Sequence, residues 1–129
     1  MFNWIIFCCL GFCMGKNFIA VLGAGKGTWG HVARIIQEEN WDNILLVSND
    51  FGKENFSTDA TNVEWALINT SSGFDVIKEV IREKLPKGEI VLSLVSGSGK
   101  EHMAVLAALK EEGLPFEIVI LTGNGTKYY

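Results

Sequence analysis

Two glycine-rich stretches hold the residue types and spacings that could do chemistry. The first is Gly23-Ala24-Gly25-Lys26-Gly27-Thr28-Trp29-Gly30, and the second is Ser96-Gly97-Ser98-Gly99-Lys100-Glu101-His102. A residue without a Cβ lets backbone N–H groups turn toward a ligand. Each stretch follows an apolar run and leads into a helical pattern, and the N-terminus of a helix offers free N–H groups and a positive dipole end. The chemistry expected is therefore the cradling of a phosphate, with Lys26 and Lys100 as local cations. The plain alternative is a pair of tight turns with glycines for sterics alone. Trp29 could stack on a base or pack beneath its loop. His31 and His102, one after each loop, could move protons or meet a phosphate, or do neither.

Gly25-Lys-Gly27-Thr-Trp-Gly30 fits G-x-G-x-x-G, and Asp50 stands twenty residues after Gly30. Following a strand and opening a helix, this is the setting of a dinucleotide fingerprint. A P-loop is excluded: Ala20 stands where the first glycine would be, and Gly27 replaces the hydroxyl residue that holds magnesium. Ser96 and His102 do not make a hydrolase pair, because no G-x-S-x-G elbow surrounds the serine.

The elements that must position these loops are legible from pattern. Apolar, partly β-branched runs at 18–22, 44–47, 63–68, 89–95 and 116–121 predict five strands. Val32, Ile35 and Ile36 lie at helical spacing after Thr28. Ser72 with Asp75 resembles a capping box ahead of the stripe Phe74, Ile77, Val80 and Ile81. Helix 101–112 is apolar over most of its surface, so it is expected to be covered, by a second subunit among other candidates. Residues 50–59 show no steady period and are expected to form a loop, with a helical turn within it as the alternative, and the glycine-rich tail 122–129 is expected to be mobile. Alternating strands and helices predict an α/β fold: a single Rossmann-like doubly wound sheet, mainly parallel, of order 3-2-1-4-5. In that order the two glycine loops open onto one crevice, at the switch point where such folds bind ligands.

Bulk properties narrow the functions. With 129 residues and nearly half of them hydrophobic, the chain suggests one globular domain. A net charge of −4 argues against broad binding to nucleic-acid backbones but leaves a small phosphorylated ligand open. Cys8, Cys9 and Cys13 all precede the domain body, so no disulfide framework is expected, nor a metal site, and a cytoplasmic setting follows. Residues 1–13 form an apolar extension too short to span a bilayer. They read as an over-extended reading frame ahead of Met14, the competing view being a membrane-surface anchor. The domain is placed at 14–129.

Leu94-Val95-Ser96-Gly97-Ser98-Gly99-Lys100-Glu101-His102-Met103, with the alanine-rich helix behind it, resembles the strand-four signature of CRISPR-associated Rossmann-fold (CARF) domains. The first loop resembles that family's strand-one loop, and Gly99 stands where the family usually has threonine. The resemblance implies an antiviral-defence protein, a homodimer binding a cyclic oligoadenylate across two subunits. Lys100 would hold a phosphate, and Ser96 and Ser98 would bond phosphate or ribose. Gly23, Gly25, Lys26, Gly27, Thr28, Trp29, Gly97, Gly99 and His102 would complete the site. Some stand-alone members cleave the ring without metal or other cofactor, by 2′-OH attack on the adjacent phosphate. In that case Lys100 and Ser96 are the catalytic candidates, placed where negative charge develops. Two other readings stand beside this one: a bare NAD(P)-type dinucleotide-binding module, and a non-enzymatic dimeric interaction subunit.

Overall fold

The structure, a computed structural model, describes residues 15–129. The expectations for the N-terminal extension fall outside the described residues. Six strands form one sheet: β1 (Lys16–Val21), β2 (Asn43–Ser48), β3 (Val63–Leu67), β4 (Glu89–Ser93), β5 (Phe116–Thr122) and β6 (Gly125–Tyr128). Their order is β3-β2-β1-β4-β5-β6, parallel except for the antiparallel β5–β6 pair. The predicted 3-2-1-4-5 order is the observed one, with one strand added at the edge.

The helices are α1 (Trp29–Glu38), α2 (Asp50–Asn55), α3 (Phe74–Lys84) and α4 (Gly99–Glu111). Successive strand residues point to opposite faces, and β1 shows the consequence. Ile19 and Val21 pack with Ile77 and Ile81 of α3 and with Ala104, Val105, Ala108 and Leu109 of α4. Phe18 and Ala20 pack the other way, against Val32, Ile35 and Ile36 of α1. Both faces of the central strands are therefore buried, which explains why they read as unbroken apolar runs. Right-handed crossovers put α1 on one face and α3 and α4 on the other, so the order reverses between β1 and β4.

Three expectations are corrected. Residues 50–55 are not loop but helix α2, because the Asn49 side chain accepts the Gly52 N–H (3.0 Å) and caps it. Ser72 is not a cap: α3 is entered from Gly73 in an extended conformation, with no side-chain cap bond. Within the single chain helix α4 is covered on one side, and Met103 is 61% exposed, which leaves the expected cover of its outer face untested. The tail is not an irregular end but a hairpin strand: Thr122 and Gly125 flank a two-residue turn, Gly125 takes φ +105°, and the Thr122 hydroxyl donates to its carbonyl (2.7 Å). The returning β6 is tied to α1 by Thr126 donating to Glu38 and by Tyr128 Oη donating to Glu39 (3.0 Å). Burial, and then that carboxylate, push the Tyr128 hydroxyl up to about 12.

Among the described residues, no helix is long and apolar enough to cross a membrane.

Candidate functional site

Because β1 and β4 are hydrogen-bonded neighbours, with Ala20 beside Ser93, the loops leaving their carboxyl ends emerge side by side. They touch. The Gly23 N–H donates to Ser96 Oγ (2.9 Å). A Cβ on Gly23 would lie 2.8 Å from the Gly97 backbone, so the contact requires glycine there. Gly97 itself takes φ +96°, and a Cβ on it would lie 2.5 Å from Val21 Cγ1. His102 Nε2 lies 2.7 Å from the Ser96 carbonyl. A carbonyl only accepts, so Nε2 carries the proton and the ring serves to hold the loop.

Behind this contact the first loop widens. After Gly25 it makes one 3-10 turn (Lys26–Thr28) before α1 begins. Between the loops lies a cleft of about 650 Å³. Gly23, Gly25, Gly27 and Thr28 line it from one side, and Ser96, Gly97 and Ser98 from the other. Leu22, Ala24, Asn49, Thr70, Val95 and Glu101 complete it. A second hollow, of about 460 Å³, shares Asn49 and Thr70 with the cleft and extends over Asp50, Phe51 and Asn69.

The remaining predicted site residues stand around the cleft rather than in its wall. Trp29 is buried, its Nε1 donates to the Gly23 carbonyl (3.0 Å), and its ring meets Phe56 edge-on at 6.0 Å. The packing role thus accounts for it. Lys26 Nζ lies 5.3 Å from the centre of the Phe51 ring and 5.8 Å from that of Trp29. Lys100 Nζ reaches sideways to donate to the carbonyls of Thr70 (3.1 Å) and Ser72 (2.6 Å). Gly99 is the first residue of α4, and His31 lies in the first turn of α1, away from the cleft lining.

Glu101 is the residue that sequence reasoning missed. It is 6% exposed, and its Oε1 accepts both the Ser98 N–H (3.0 Å) and the Ser98 hydroxyl (2.7 Å). The signal was present, since Ser98-x-x-Glu101 is the spacing of a capping box. Glu101 is the one charged side chain among the described residues that line the cleft. The cleft therefore offers glycine backbone and hydroxyls as its polar surface, with the lysines turned to its flanks. Such a surface suits a phosphate held by neutral donors, and a ligand hydroxyl or amine beside the carboxylate.

No protein-family model matches the chain, and no curated protein sequence matches it. The fold is a doubly wound, Rossmann-like sheet of the kind that nucleotide-binding modules use.

Proposed function

We propose that this domain is a nucleotide-binding module whose ligand places a phosphate between the two glycine loops. The observation that carries this reading is the shared cleft at the point where strand order reverses, with both loops in its wall. The dinucleotide form of the reading draws support from Asp50. It opens α2 at the carboxyl end of β2 and lines the hollow that continues from the cleft, where a ribose hydroxyl would meet its carboxylate. In this form the module binds without turnover.

A second reading keeps the CARF resemblance: a cyclic oligoadenylate held by a homodimer. It is favoured by Ser96, Gly97 and Ser98, which make the second loop one wall of the cleft. Ring cleavage asks more of the site. Ser96 Oγ already accepts the Gly23 N–H, and Lys100 would have to leave the Thr70 and Ser72 carbonyls to reach a phosphate.

Calorimetric titration of the whole chain with NAD⁺, NADP⁺, cyclic tetra-adenylate and cyclic hexa-adenylate tests both forms. Saturable binding of a dinucleotide, lost in Asp50→Ala, supports the first. Saturable binding of a cyclic oligoadenylate with two chains per ligand supports the second, and chromatography of the titrated mixture reads turnover. If none of the four binds, both are removed.

A further inference from the structure

A separate, smaller pocket lies on the α1 face of the sheet, where β4 and β5 part. The strands are paired from Ile90–Phe116 to Leu92–Ile118. Beyond that pair β4 ends at Ser93 and turns into the second glycine loop, whereas β5 runs on with β6 alone. The split leaves a pocket of about 200 Å³. Its walls are mostly apolar, among them Ile35, Val95, Val119 and Leu121.

Two polar side chains line it, His31 and Ser93. Ser93 lines the pocket, is 1% exposed, and its Oγ has no hydrogen-bond partner. A buried hydroxyl without a partner is costly, and native structures rarely leave one so. The neighbouring strand adds polar edges. Ile118 exchanges both of its backbone bonds with Tyr129 (2.8 and 2.7 Å) and so faces β6. By alternation the Val119 carbonyl and the main-chain groups of Leu121 face the split.

Size and chemistry together define an occupant. An apolar cavity of about 150 Å³ holds benzene, so this pocket has room for one aromatic ring and a substituent. We propose that it is a binding site for a small single-ring aromatic molecule bearing one hydroxyl, which meets Ser93 Oγ while the ring lies among the aliphatic walls. The site is separate from the nucleotide cleft, but the two share Val95 as a wall. Occupancy therefore bears on the loop that carries Ser96.

The test is an NMR titration of the whole chain with phenol and, in parallel, with benzene. The expected result is saturable amide shifts centred on Ser93, Val95 and Leu121, with phenol binding the tighter. Ser93→Ala should weaken phenol about fivefold, the worth of one hydrogen bond, and leave benzene unchanged. Ser93→Val, which puts methyl groups into the pocket, should weaken both. Shifts in the wild-type chain that are scattered or do not saturate would overturn the site, whatever the variants do. An unchanged phenol-to-benzene ratio in Ser93→Ala would overturn the role of the hydroxyl, and undiminished binding in Ser93→Val would overturn the location.

Discussion

The two glycine loops differ in what their glycines are for. In the second loop the polar side chains near the turn are held by the protein itself. Ser96 is held by Gly23 and His102, Ser98 by Glu101, and Lys100 by two carbonyls of the β3–α3 connection. Gly97 adopts a backbone conformation that L side chains avoid, in a space with no room for a Cβ. In the first loop, by contrast, a Cβ on Gly25, Gly27 or Gly30 would meet nothing within 4 Å. One loop is a rigid wall built by internal contacts. The other, beyond the Gly23 contact, lines the same cleft with Gly25 and Gly27, which the protein's own packing does not require. A glycine unneeded for packing is of use where something else must approach the backbone.

Gly97→Ala is the strongest way to break the contrast. It combines positive-φ strain with a clash against Val21, and should cost about 3 kcal/mol of unfolding free energy. Chemical denaturation would read it as a lower midpoint at unchanged slope. A loss below about 0.5 kcal/mol, the size of an ordinary surface change, would mean the second loop is not rigid. Ser96→Ala is milder. It removes the acceptor of the Gly23 N–H at a partly exposed site, so about 1 kcal/mol is expected. Faster hydrogen exchange at the Gly23 amide would show that this bond holds the two loops together.

How much of this could be read beforehand follows from what each signal depends on. Strand order was legible because long apolar runs and the handedness of crossovers leave few topologies. Helix α2 was not, since six residues give too little periodicity and its cap is a single asparagine. Strand β6 was missed for a related reason. Gly123-Asn124 is a hairpin turn signal, but Gly125-Thr126-Lys127-Tyr128 after it lacks a hydrophobic alternation. At the cleft, Gly23, Gly25, Gly27, Ser96, Gly97 and Ser98 stay in the wall because short residues cannot leave their loop. The lysines did not, because a four-carbon arm chooses its partner from the whole fold. Lys100 found carbonyls near the start of α3, some thirty residues back in the chain, and Lys26 found the face of Phe51, a residue on a helix the sequence had not disclosed. Ser93 gave no sign at all, because its meaning comes from a strand split that only the three-dimensional register shows.

The smallest expected effect on stability is the sharpest test of the contrast. Gly27 lies in the 3-10 turn and lines the cleft, and a methyl group there touches no protein atom. Gly27→Ala should therefore leave the unfolding free energy within about 0.5 kcal/mol of the parent, with a small gain from the stiffer unfolded chain. The same methyl group would stand where a phosphate approaches the backbone, so affinity for whichever nucleotide binds should fall at least about tenfold, or about 1.4 kcal/mol. The pairing of the two numbers matters more than either one. Loss of stability without loss of binding would make the first loop a structural wall like the second. Loss of binding at full stability would show that its glycines are kept clear for a ligand.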